Sequence, residues 1–435
     1  MRGRTTSCPA VTAWPMSSSI SRSRRSVRPG RRFRSLGRLK RQRADGDGSV
    51  VVARRFGALL GFGLALLVLP WPAAGATQGA WTIEPVAIPA ALSAMFEAVS
   101  CPSPTMCMAV GSGSFDRSTI SPVVARWDGT QWLARALPIL VRGGVSLLTS
   151  VSCPSTAMCV AVGWSYSSRD ATPRAIFERW DASGWRPMPA LPPPGQQGVY
   201  VWGVDCSGPG ACVAVGATYR RYGYRPLVER WDGDVWTPAA TMEPSSLDLG
   251  ELYSVSCGRT GACVGVGAEY DFANRPLAVR TDGSSLSVMD TPTAPGAGNS
   301  GLSSVSCAAR NNCVAVGVTQ PPWSPKALPL VERWDGSRWT IEGVPATGDS
   351  VAYLTDVSCA SRTSCVAVGA SDPAHGAAVL RWNGALWQWE AADVPVGSLG
   401  EQFGGVSCVG SGGCTAVGRW SQSHRGLPLV EYSEG

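Results

Sequence analysis

Short alternating runs, rather than helical stripes, organise most of this chain. Residues 148–153 (LTSVSC) read as the period-2 alternation of a half-buried strand, and residues 159–163 (CVAVG) as a small, β-branched second strand. Residues 226–231 (PLVERW) predict a third strand, and the segment that starts at the next Trp a fourth. Pro, Ser, Gly and Asn between the first two runs, and Asp-Gly between the last two, are turn residues. The set recurs. Its landmarks are Cys101/Cys107, Cys153/Cys159, Cys206/Cys212, Cys257/Cys263, Cys307/Cys313, Cys359/Cys365 and Cys408/Cys414, every pair spaced C-x5-C and successive first cysteines 49 to 53 residues apart. The fourth copy has Thr281 and Leu286 where others have Trp.

Four-stranded units of this length mark a β-propeller. The seventh unit ends at residues 427–435 (LPLVEYSEG), after its third strand, so its fourth must come from elsewhere. Trp81-Thr82-Ile83-Glu84-Pro85-Val86 matches Trp339-Thr340-Ile341-Glu342-Gly343-Val344, and an N-terminal strand that completes the last blade removes two open sheet edges. The expected fold is therefore all-β: residues 81–435 as one seven-bladed β-propeller of four-stranded blades, closed by that N-terminal strand.

Composition agrees and adds a compartment. With 44% hydrophobic and 16% charged residues in 435 the chain is not disordered, and 51 Gly, 33 Pro and 18 Trp exclude a helical solenoid. The formal charge of +7 suggests nucleic acid until it is divided: residues 1–55 carry 15 of the 38 Lys and Arg and only 2 of the 31 acidic residues, so the remainder is mildly acidic. Residues 1–53 are expected to be a disordered extension or a start assigned too far upstream. Residues 54–76 follow the signal-peptide plan: Arg54-Arg55, an apolar stretch broken by Pro70 and Pro72, then Ala74-Gly75-Ala76 with cleavage expected after Ala76. Export, no stable membrane anchor after cleavage and no nucleic-acid partner follow. Fourteen evenly paired cysteines beyond an export signal, with 2 His and no C-x2-C, predict seven local disulfides at the ends of adjacent strands rather than a metal or redox centre. Cys8 in the leader is the odd one.

Chain parity puts the cysteine turns and the Trp-Asp-Gly turns on one rim, and the loops after CVAVG on the other. Those loops carry the variation expected of a recognition face. The richest are in the third and fourth units. Tyr219, Arg220, Arg221, Tyr222, Tyr224 and Arg225, with Glu269, Tyr270 and Asp271 beside them, form the expected ligand-binding patch. Arg grips carboxylate or phosphate in a fork and Tyr gives rigid contact area, so the expected partner is a protein or glycan, anionic ones included. His375, His424 and Asp372 fall in neighbouring loops, too few for a metal site, and no metal or other cofactor is expected. A monomer is expected.

The Asp-Gly-x-x-Trp turn, as in Asp128-Gly129 to Trp132, resembles the Asp-box of sialidase-like propellers, with one residue fewer before the aromatic and Arg in place of the leading Ser. The VSC…CVAVG units resemble repeats of exported bacterial propeller proteins. Both resemblances imply the fold; no catalytic position carries over. The function read from the sequence is non-catalytic binding at the cell envelope or outside the cell, and the alternative is a polysaccharide-acting hydrolase or lyase of the sialidase-like type.

Overall fold

The computed structural model describes residues 80–435, except 117, 139–142, 221–222, 240–248, 259–260, 271–272, 283–284, 325, 347–351, 372–375, 411–412, 424 and 435, and the side chain of Arg220. The leader and basic segment lie outside the described residues. A set of four consecutive antiparallel strands recurs, exemplified by Ser93–Ser103, Met106–Ser114, Ile120–Trp127 and Trp132–Ala136 in the first unit. Five sheets have four strands; a sixth has eight, being two such sets joined by one parallel bridge from Ile120 to Val145. Trp81–Ile83 runs antiparallel to Arg425–Ser433 with Trp81 opposite Ser433, so both ends of the repeat region share a sheet.

The first strand of each unit does not alternate strictly, and the departure is systematic. Pairing with the second strand slips by one residue, between Leu148 and Ser150 in the second unit and at the matching place in each of the others. This β-bulge buries both Leu148 and Val151, three apart, and turns the skipped residue away from the ladder. It also drives a carbonyl toward the Gly of CVAVG: a Cβ on Gly163 would lie 2.0 Å from the Leu147 oxygen.

Adjacent units are stitched by the residue before the first Cys. Ser100 Oγ accepts the Cys153 N–H at 3.0 Å, and Ser152, Ser256, Ser306 and Ser358 do the same for Cys206, Cys307, Cys359 and Cys408, each at 3.0 Å. Asp205 serves Cys257 at 2.7 Å, and Ser407 serves Cys101 of the first unit at 3.0 Å. Further out the Trp pairs flanking the Asp-Gly turns pack against each other, as with Trp334 and Trp339 at 5.7 Å between centroids. Most of these indoles are buried or half-buried between sheets, which is a structural use.

All seven C-x5-C pairs are disulfides, each closing its own hairpin with Cα atoms 3.9 to 4.0 Å apart: Cys101–Cys107, Cys153–Cys159, Cys206–Cys212, Cys257–Cys263, Cys307–Cys313, Cys359–Cys365 and Cys408–Cys414. The bridges sit at the strand ends beside each hairpin turn, as the spacing predicts, and the structure adds that the second Cys of each pair is buried. Cys107, Cys159, Cys212, Cys263, Cys313, Cys365 and Cys414 are each at most 3% exposed, and each packs into a different hydrophobic cluster between sheets. The reason is strand parity. Each second Cys shares its face with the residue two on, an Ala in six units, such as Ala109 after Cys107, and Gly265 in the fourth, and that face is core. These residues are therefore core members as well as staples, out of reach of a ligand.

Seven such bridges fit an oxidising compartment. Mass mapping of the non-reduced protein is expected to find hairpin-local links only. Replacing Cys359 and Cys365 together by Ala should lower the urea stability by at least about 2 kcal/mol, the loop-entropy value for so short a ring; free thiols in most pairs would refute the assignment.

Candidate functional site

The residue skipped by each bulge faces a central cavity of about 280 Å3. In unit order these are Glu97, Thr149, Trp202, Tyr253, Ser303 and Thr355, with Gly404 in the last. The rest of the lining is rich in Ser. Three carboxyl groups line it, and two of them are committed to the scaffold. Asp205 accepts from Ser152 Oγ at 3.0 Å and from the Cys206 and Cys257 N–H groups at 2.9 and 2.7 Å. Asp356 accepts from Ser304 Oγ at 2.5 Å and the Val406 N–H at 2.7 Å. Burial raises both, Asp356 to about 6, against those hydrogen bonds. Glu97 is pushed up to about 7 by burial, partly opposed by the Arg419 guanidinium.

From this cavity a band of aromatic rings runs through the second, third and fourth units toward the variable loops. Trp202 stacks on Tyr200 at 5.4 Å, and the edge of each meets Trp164, at 5.9 and 5.2 Å. Trp164 also stacks on Tyr166 at 5.7 Å. Outward, Tyr200 approaches Tyr224 at 6.1 Å, and Tyr224 its cross-strand neighbour Tyr219 at 5.6 Å. Sideways, Trp202 meets Tyr253 at 6.4 Å, whose hydroxyl bonds to that of Tyr270. The two-residue spacing of 164/166 and 200/202 explains the assembly, since it puts each pair on one face of its strand.

Glu251 sits among these tyrosines, 1% exposed, with its carboxyl pushed up to about 7 by burial despite hydrogen bonds from Tyr253 and Tyr270. Burial and the Glu251 charge raise the phenols in turn, Tyr200 to about 12. Glu251 Oε2 and the indole N–H groups of Trp164 and Trp202 have no hydrogen-bond partner among the described residues. These three atoms are buried, so what the band can offer a ligand is the flat face of its outer rings, which stacks on a sugar ring or an amide plane.

Of the residues expected from the sequence, Tyr219, Tyr224 and Tyr270 belong to this band, with Tyr219 at its outer end and 39% exposed. Arg225 lies opposite Thr218 and Glu269 opposite Arg275, flanking it. Arg220 pairs with Gly223 through its backbone. Arg221, Tyr222 and Asp271 lie outside the described residues, as do Asp372, His375 and His424. Missing from the expectation were Tyr166, Tyr200, Trp202, Glu251 and Tyr253. They lie within strands rather than loops, and aligning the units on their first Cys would have exposed Trp202 and Tyr253 as bulky variants of one position.

No protein-family model matches the chain, and neither does any curated protein. Among solved structures, YCF48 bound to D1 peptide is similar at 13% identity and a TM-score of 0.50, over 82% of this chain and 100% of that one. YCF48 from Cyanidioschyzon merolae follows at 15% identity and 0.48, covering 81% and 98%. The β-propeller domain of the Trilobed protease from Pyrococcus furiosus is similar at 8% identity and 0.49, covering 79% and 96%. The likeness to the first is one of fold: this chain is an all-β, propeller-like protein of repeated four-stranded sheets.

Proposed function

We propose that the chain is an exported, closed seven-bladed propeller that binds a protein or glycan, without catalysis, through its aromatic band. The hydrogen bond from the Cys101 N–H to Ser407 and the pairing of Trp81–Ile83 with the last strand support closure. Seven disulfides support an oxidising destination. The observation that carries the binding reading is the continuous run of rings from Trp202 to Tyr219, which is exposed at its outer end. The structure of YCF48 is of that protein with a peptide; a peptide is one of the two ligand classes that a band of this chemistry accommodates.

A hydrolase or lyase at the axis would need a second carboxyl group opposite Glu97. Asp205 and Asp356 are poor candidates because each already holds main-chain N–H groups of the next unit. The binding reading is tested by the double change Tyr219→Ala and Tyr224→Ala. Each removes an outer ring worth about 1 kcal/mol of stacking, so retention on cell-wall material or on a glycan array should fall at least about tenfold while the melting temperature is kept. Unchanged retention would reject the band as the site.

A further inference from the structure

The junction between the last and first units differs from its counterparts, and the difference has the shape of a missing side chain. At three other junctions an Arg from the third strand of one unit lies over a Trp of the next: Arg126 over Trp180 at 5.4 Å, Arg280 over Trp334 at 5.5 Å and Arg333 over Trp382 at 4.5 Å. Arg333 and Arg381 also pair with Glu342 and Glu390 of their own fourth strands. Those two Glu accept the indole N–H of the next fourth-strand Trp, Glu342 from Trp387 at 2.6 Å and Glu390 from Trp81 at 3.0 Å.

At the last-to-first junction the frame is complete and the guanidinium is not. Glu84 accepts the Trp132 indole N–H at 2.6 Å, and Trp127 stands beside it. Yet the position of Arg333, opposite Thr340, is here Tyr432, opposite Thr82. Two more positions differ at this junction. The residue before the second Cys is Met106, Met158, Ala211, Ala262, Asn312 and Ser364 in the first six units and Gly413 here, and a Cβ on it would lie 2.7 Å from the Tyr432 hydroxyl oxygen. The residue after that Cys is Thr415 where Val160 and Val314 stand elsewhere. A cavity of about 500 Å3 lies here, bounded by Glu84, Trp127, Trp132, Gly413, Thr415 and Tyr432, next to the first disulfide.

We propose that this cavity receives an arginine side chain from a partner polypeptide. A guanidinium is what the corresponding junctions hold; it is planar, stacks on indole and meets a carboxylate through a fork of donors. Among the described residues Glu84 has no arginine of its own. The volume exceeds that of one side chain, leaving room for the main chain that carries it. This site lies on the disulfide rim and does not depend on the aromatic band.

The test is a titration of the folded protein with an acetylated, amidated Gly-Arg-Gly peptide, followed by tryptophan fluorescence and calorimetry. Citrulline in place of Arg keeps the shape and removes the charge, and should bind at least tenfold more weakly. Glu84→Gln should weaken the Arg peptide at least tenfold. Tyr432→Arg should supply the guanidinium from within, abolish binding and raise the melting temperature; if that variant does not fold, Glu84→Gln and the citrulline peptide decide the matter. The Tyr219→Ala, Tyr224→Ala variant should bind the Arg peptide normally. Equal affinity for the Arg and citrulline peptides, or an unchanged affinity in Glu84→Gln, would overturn the site. An Arg peptide binding no tighter than N-acetyl-arginine amide would overturn the polypeptide partner.

Discussion

Gly317→Ala lowers the unfolding free energy by about 3 kcal/mol or more, read as a shift of the urea midpoint at unchanged slope. The added Cβ would stand 2.1 Å from the Gly301 carbonyl oxygen and 2.9 Å from the Leu302 Cα, both backbone atoms on the facing strand. Neither can retreat, because Leu302 is fully buried in the interface with the neighbouring sheet. Six other glycines stand at the equivalent place, from Gly111 with a contact of 2.1 Å to Gly418 with one of 2.0 Å, so the clash belongs to the bulge and not to one unit. Gly343→Ala is the control. No atom lies within 4 Å of its Cβ position, and that change should leave stability the same or raise it slightly through the unfolded chain. A midpoint for Gly317→Ala within error of Gly343→Ala would mean that the bulge is not as tight as described.

That glycine also marks the boundary of what the sequence reveals. Repeat length, strand order, the seven cysteine pairs and the strand borrowed from the N-terminal side follow from one-dimensional pattern, because each depends on spacing along the chain. Spacing does not say which way a side chain points, and so the burial of Cys107 or Cys313 between sheets was hidden while their pairing was plain. The bulge does not announce itself directly either: LTSVSC passes for simple alternation, yet Leu148 and Val151 are both buried only because one residue is skipped. The skipped position lines the cavity of about 280 Å3, so missing the bulge hid that lining. Variation in the loops was legible and drew attention to Tyr219, Tyr224 and Tyr270. The inner half of the same cluster, Tyr200, Trp202 and Tyr253, sits on strands where a large aromatic passes for core. Contacts such as Trp164 with Tyr200 join different units and need the fold to be seen.

The third strand holds a last consequence of repetition. Two residues before its terminal Trp, or the residue equivalent to it, the second, third, fifth and seventh units have Glu178, Glu229, Glu332 and Glu431, each at most 6% exposed. Each stands opposite an Ala of the second strand. Burial pushes Glu178 up to about 7 and the other three to about 8. Glu431 Oε2 takes the Asp393 N–H at 3.1 Å, whereas both oxygens of Glu332 lack a partner among the described residues. The folded chain thus holds these groups protonated where an unfolded one would release the proton. Stability from them is complete below about pH 4.5, falls as the pH rises toward about 8, and levels off once both states are ionised. The melting temperature should therefore be highest near about pH 5 and decline to about pH 8. The first, fourth and sixth units place Ala125, Val279 and Leu380 at the same position, so an apolar side chain fits there. Glu332→Leu is expected to change stability little at about pH 5 and to raise it by an amount on the order of 3 kcal/mol at about pH 8, flattening the pH profile. Parallel pH profiles for Glu332→Leu and the parent would show that this carboxyl group is ionised in the fold, which would require a cation beside it.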